Sequence, residues 1–175
     1  MSVIATYARL NEPALAELRQ SNDWMDRLYE TKSRELQVMD LDKACDGIVW
    51  LLGKVPAPAS PITGSGFVLN ENLAPLLAGI GAKEAHDLEG PYGSASIIDP
   101  QLVAKLHAWL KDIDNQQLRQ RYDPRAMSDD AVYPQIWAEE GQAAFEEYLL
   151  PNFLHLKKFV SEAAAEEQHV IMFFT

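Results

Sequence analysis

His169-Val170-Ile171-Met172-Phe173-Phe174-Thr175 closes the chain as an almost wholly apolar run. A run this short, rich in β-branched and aromatic residues, suits a strand buried on both faces. At the other end, Val3 to Leu10 carries the same β-branched and aromatic bias and reads as a second strand. Several helices lie between them. Asn11 before Glu12-Pro13 marks a helix start, with proline at an early position where its missing N–H costs nothing, and Leu15 and Leu18 continue it. Ser21 or Asn22 caps a second helix bearing Trp24, Met25, Leu28 and Tyr29.

Asp40 reads as the cap of a third helix, whose apolar stripe is Leu41, Ala44, Cys45, Ile48, Val49 and Leu52. Gly53 ends it, and residues 53–66 (GKVPAPASPITGSG) form a Pro/Gly-rich surface loop. Phe67 to Leu69 is a short strand, and Leu73 to Ile80 a short helix interrupted at Pro75. Ala95 to Ile98 is a strand, and Asp99-Pro100 opens a helix marked by Leu102, Val103, Leu106, Trp109, Leu110 and Ile113. Another helix starts near Asp114. In Gly141 to Glu167, residues Phe145, Leu149, Phe153, Leu156 and Val160 share one face, with a kink or break expected near Leu150 because Pro151 follows. Together these elements predict a mixed α/β (α+β) fold. It is a single three-layer domain over residues 1–175, with a small mixed sheet flanked by helices.

Composition narrows the function. The 175-residue chain has a formal charge of −11, and nine acids between residues 129 and 167 face only Lys157 and Lys158, a net −7 for that segment. Such a surface repels phosphate backbones and anionic lipid, so neither nucleic acid nor membrane is an expected partner, whereas a basic protein is attracted. The plainer reading of the same charges is a solvated face that keeps the chain soluble. A lone cysteine, Cys45, excludes an internal disulfide and any multi-cysteine zinc site, which suits a reducing cytoplasm. No basic segment followed by a long apolar stretch opens the chain, and its apolar runs fall far short of the ~20 residues of a spanning helix.

Chemistry-bearing motifs are sparse. His86, His107, His155 and His169 offer no pair at ligand spacing, and Asp40, Asp42 and Asp46 lack the glycine of a calcium loop. Asp42 reads instead as a first-turn acid complementing the helix dipole. Gly93-Ser94-Ala95-Ser96 precedes a strand, where a nucleophile elbow needs a strand-to-helix turn, and Gly64-Ser65-Gly66 lacks the lysine of a phosphate loop. Cys45 lies on the apolar stripe as a core thiol. Two clusters remain: Gly90-Pro91-Tyr92-Gly93, and Arg121-Tyr122-Asp123-Pro124-Arg125 with Tyr133-Pro134-Gln135-Ile136-Trp137. They read either as loop punctuation anchored by aromatics or as walls of a pocket.

Asp40-Leu41-Asp42-Lys43-Ala44, then Tyr92-Gly93, Tyr122-Asp123-Pro124 and Tyr133-Pro134-x-Ile136-Trp137, follow one another in an order that resembles the YfbM-like family of bacterial proteins, a domain of unknown function. The resemblance implies a three-layer α/β domain and no assigned activity. Where the family pattern suggests a Trp-His pair after Lys43-Ala44, this chain has Cys45-Asp46, which removes any mechanism resting on a histidine there.

The candidate binding residues are Asp42, Lys43, Asp46, Tyr92, Tyr122, Asp123, Tyr133 and Trp137; no catalytic residue, metal ligand or cofactor is assigned. The leading expectation is a non-catalytic interaction module for a basic protein, as a small acidic immunity protein is for its toxin. The alternative is a small-molecule binder or hydrolase with a pocket of Tyr92, Tyr122, Asp123, Tyr133 and Trp137.

Overall fold

In the computed structural model, which describes residues 3–30, 36–53 and 73–175, the closing apolar run is the central strand of a five-stranded sheet. The strands are β1 (Ala5–Leu10), β2 (Leu36–Asp40), β3 (Lys83–Gly90), β4 (Gly93–Ile98) and β5 (His169–Phe174), arranged β2-β1-β5-β4-β3. The sheet expected to be mixed in strand direction is antiparallel at every pairing. β3 and β4 form a tight hairpin, and β5 enters beside the ends of β1 and β4, with His169 opposite Leu10 and Val170 opposite Ile98.

Alternation along the strands divides the apolar residues between two layers. Ala5 and Tyr7 of β1, Val170 and Met172 of β5, and Ile98 of β4 face a large core. That core is completed by helices α3 (Cys45–Gly53), α4 (Pro100–Lys111), α5 (Asn115–Arg121), α6 (Pro124–Asp129), α7 (Trp137–Glu140) and α8 (Leu150–Ala165). Ala8, Leu10, Ile171, Phe173, Ala95 and Ile97 face the other way, onto α1 (Glu12–Leu18) and α2 (Trp24–Glu30). Trp24 anchors this smaller layer, its ring edge-on to Phe173 at 5.0 Å and its indole N–H donating to Glu89 O at 2.8 Å. Both central strands are thus covered on both faces, which is why neither alternates polar with apolar. Thr6 and Arg9 of β1 are the exceptions, and Arg9 is the charged one. It is buried on β1, where Gln168 and Gln37 accept from its guanidinium at 2.8 Å, and Glu162 and Glu166 pair with it at 3.1 and 3.2 Å.

Helix starts follow their caps. Asn11 accepts from Ala14 N–H at 3.0 Å, Asp99 from Leu102 N–H at 2.9 Å, and Asp114 forms a capping box with Gln117. Asp40 does not cap a helix: it ends β2, and its carboxylate accepts from the Thr6 hydroxyl at 2.7 Å across the β1–β2 pair. The turn at residues 41–44 intervenes before α3, so Asp42 lies outside the helix. β3 escapes a periodicity reading for a physical reason. Its buried residues, Ala85 and Leu88, are three apart because a bulge between Ala85 and Glu89 shifts the register. Asp123, expected in a loop, caps α6 through the Arg125 and Ala126 N–H groups.

Of the kink or break expected near Leu150, the chain makes no break but a helical irregularity. A π-helical segment, Ala144–Leu149, runs directly into α8, and Leu150 N–H donates to Phe145 O. The wider turn gives Pro151 room, and Asn152 Nδ2 donates at 2.9 Å to Tyr148 O. The expected short helix after Leu73 is a 3-10 turn, Ala74–Ala78. Residues 54–66 of the expected loop and the expected strand Phe67 to Leu69 lie outside the described residues.

Candidate functional site

The turn between β2 and α3, with the first turn of α3, places three of the candidate residues on one cavity. Asp42 takes a left-handed conformation (φ +48°), which aspartate tolerates better than most L-residues. A tyrosine from the π-helical segment fixes the turn. The Tyr148 hydroxyl donates to Asp42 Oδ2 at 3.0 Å and accepts from Lys43 N–H at 2.9 Å. Burial, then the hydrogen bond to Asp42 and its negative charge, push the Tyr148 phenol well above its ordinary pKa, so it remains a donor at neutral pH. Sequence reading missed Tyr148: it is 106 residues from Asp42, and its only local signal is the proline three positions on.

The cavity has a volume of about 240 Å³ and opens at the sheet end where Ala5 pairs with Phe174. Val3, Ala5 and Phe174 supply apolar wall; Asp42, Lys43, Asp46 and Tyr133 supply polar groups; and Cys45 completes the lining. The Cys45 thiol is pushed up to about 11, chiefly by burial, and lies 3.4 Å from the Tyr7 hydroxyl and 3.6 Å from Leu77 O. A protonated, enclosed thiol is a poor nucleophile. The lining contains no histidine. Among the described residues, no three His, Cys, Asp or Glu side chains group to hold a metal ion. Asp42 and Asp46 stand in no ion pair within 4.0 Å among the described residues, so the cavity carries two uncompensated carboxylates against Lys43 alone.

The other candidates are elsewhere. Tyr92 is 43% exposed in the β3–β4 turn. Tyr122 is buried, packs on Phe145 at 5.2 Å and donates to Gly141 O at 2.7 Å. Asp123 is spent on its cap. Trp137 is wholly buried, with its indole N–H on Val132 O at 2.8 Å and its ring against the position where Gly47 lacks a Cβ. Of the five residues expected to wall an aromatic pocket, only Tyr133 lines the cavity.

The acidic segment is also divided. Glu162 and Glu166 are tied to Arg9, and Glu146 to Arg119. Asp130 accepts from the Trp50 indole at 2.7 Å. Trp50 lies one helical turn beyond Asp46 on α3, so this bond joins the end of α6 to α3. Exposed Asp129 and Asp130 end α6 beside Trp50 and exposed Glu139 and Glu140 lie on α7, whose Trp137 packs against Gly47 of α3, while Glu162, Glu166 and Glu167 lie near the start of β5. The single acidic face expected from sequence is two patches.

A larger cleft, about 550 Å³, lies at that opposite end, between Glu12, Arg19, Lys83, Asp99 and His169. Several of its charges already have partners: Arg19 pairs with Asp87 outside the lining, His169 lies 3.3 Å from Glu12, and Asp99 caps α4.

Architecture and site together define a three-layer α/β protein with an antiparallel sheet and an acidic end cavity. The chain belongs to the family described as Domain of unknown function (DUF1877), which matches residues 1–173. Its fold is similar to that in the crystal structure of a protein of unknown function, YfbM from Escherichia coli. The TM-score is 0.64 and the identity 19%, covering 98% of this chain and 99% of that one. Among curated proteins none matches the chain significantly. No described helix is long and apolar enough to cross a membrane.

Proposed function

We propose that this chain is a non-catalytic interaction protein of the cytoplasm. It receives a basic protein partner on the face formed by the start of α3 and the ends of α6 and α7, in the manner of a small acidic immunity protein. The observation that carries the reading is the set of exposed carboxylates on these elements, none in an ion pair within 4.0 Å among the described residues: Asp42, Asp46, Asp129, Glu139 and Glu140, outnumbering Lys43 and Arg125, with Asp130 held by the Trp50 indole. Such a field speeds encounter with a basic surface and disfavours acidic competitors.

The test is association of an arginine- and lysine-rich peptide with the purified chain. Its rate should fall steeply from low to physiological salt, where exposed charges are screened over ~8–10 Å. Asp129→Asn/Asp130→Asn/Glu139→Gln/Glu140→Gln should slow association. An equal charge removal on α1, α2 and the turn before α2 (Glu17→Gln/Asp23→Asn/Asp26→Asn/Glu30→Gln) should leave it near the parent rate. Equal losses from both sets would mean that net charge, not this face, attracts the peptide, and the proposal would fail.

A further inference from the structure

We infer that the cavity between Asp42, Asp46 and Tyr133 is the receptacle for one long cationic side chain, lysine or arginine, of the basic partner; this rests on the functional reading above. Size is the first argument. At about 240 Å³ the cavity lies below the ~300–1,000 Å³ range of drug-sized sites, and it suits a single extended side chain. Lining chemistry is the second. Val3, Ala5 and Phe174 match an aliphatic stem, while Asp42 and Asp46 match a charged head, the division that long cationic side chains adopt at apolar surfaces. Tyr133 adds an aromatic ring, a favoured neighbour for a cation. Charge count is the third. With Lys43 included, the lining carries a net −1, so one incoming cation neutralises it. The site is also held in advance, because Tyr148 fixes the Asp42 carboxylate and the Lys43 backbone in a single turn.

Lys43 gives the inference its sharpest consequence. It is the competing cation of the same cavity, so Lys43→Met should tighten binding of a cationic probe, by about two- to fivefold for removal of one partly exposed like charge. Asp42→Asn/Asp46→Asn should weaken it about tenfold or more. Asparagine tolerates the left-handed conformation at position 42 and keeps an acceptor for Tyr148, so this variant should fold, which a parent-like melting transition would verify. The full chain is titrated with N-acetyl-arginine amide, N-acetyl-lysine amide and the neutral N-acetyl-norleucine amide, followed by amide NMR shifts. The same arginine- and lysine-rich peptide is measured in parallel.

The expected result is saturable shifts at residues 41–46 and 133 with the cationic amides only, displaced by the peptide and strengthened by Lys43→Met. Equal shifts with the neutral amide, or none with the cations, would overturn the inference. A peptide that binds the parent and Asp42→Asn/Asp46→Asn equally would overturn it while leaving the acidic-face reading intact. Saturation by the amides without any peptide binding would assign the cavity to a free small cation and reject the partner side chain.

Discussion

Tyr148→Phe isolates the contact that builds the site. The substitution keeps the ring and removes one oxygen, which serves as donor to Asp42 (3.0 Å) and acceptor from Lys43 N–H (2.9 Å). The backbone bond is partly buried, and its loss leaves an N–H without its partner, about 1 kcal/mol. The bond to Asp42 is to a charged acceptor, but that carboxylate is exposed and water replaces much of it, so roughly 0.5–1 kcal/mol is reasonable there. A further fraction comes from Asp42, whose left-handed backbone then lacks its tether. The expected total is about 1.5–2.5 kcal/mol, read as a lower urea midpoint at unchanged slope. Binding of the cationic amides should weaken in the same variant, because the carboxylate is no longer held at the cavity. Stability within about 0.5 kcal/mol of the parent, with unchanged amide binding, would show that the turn is fixed by its own backbone and refute the argument.

Two other outcomes test the surrounding structure. Ala131 (φ +54°) closes α6 in a Schellman arrangement, with Ala131 N–H on Ser128 O and Val132 N–H on Met127 O. Ala131→Gly relieves ~1–2 kcal/mol of left-handed strain against ~0.5–1 of added unfolded-chain entropy, so chemical denaturation should show a gain of about 0.5–1 kcal/mol; a loss would contradict the cap assignment. Alkaline pH should destabilise the fold. Cys45 is raised from 9.0 to about 11 by burial, and Tyr7 and Tyr148 are raised in the same direction, so the unfolded chain releases these protons first. The thiol's contribution is complete below pH ~9 and is lost as pH rises to about 11, on the order of 2 kcal/mol. A urea midpoint that stays flat over that range would be inconsistent with these buried groups.

The elements legible in the sequence are those whose local signals and tertiary roles agree. Asn11-Glu12-Pro13 and Asp99-Pro100 carry cap and first-turn chemistry that needs no distant partner, and both open helices as expected. β5 announces itself because burial on both faces leaves a nearly continuous apolar run, and β1 by its β-branched and aromatic bias. The edge strands do not. β2 is five residues long and ends in an aspartate that serves Thr6 rather than a helix, so the best local reading of Asp40 was overruled by a cross-strand hydrogen bond. β3 carries charges along an exposed edge, a common protection against edge-to-edge pairing, and its bulge gives a strand the spacing of a helix.

The site was legible only in part, for a related reason. Asp42, Lys43 and Asp46 are close in sequence, so a single turn suffices to gather them, and Tyr133 joins them from a distant loop. Aromatic-plus-proline motifs carry no comparable signal of direction. Tyr122 and Trp137 share their pattern with Tyr133, yet each spends its polar atom on a backbone carbonyl within the core: Tyr122 on Gly141, Trp137 on Val132. Inward or outward placement depends on which helix packs behind the loop, and that is settled by contacts such as Trp137 against Gly47. Tyr148 shows the converse. In an α-helical reading it is one more position between Phe145 and Leu149, whereas it lies in the π-helical segment before Pro151, from which its hydroxyl reaches Asp42. The residue that fixes the Asp42 turn therefore sits in a backbone irregularity, and the proline expected to kink or break the helix follows directly after the end of that irregularity.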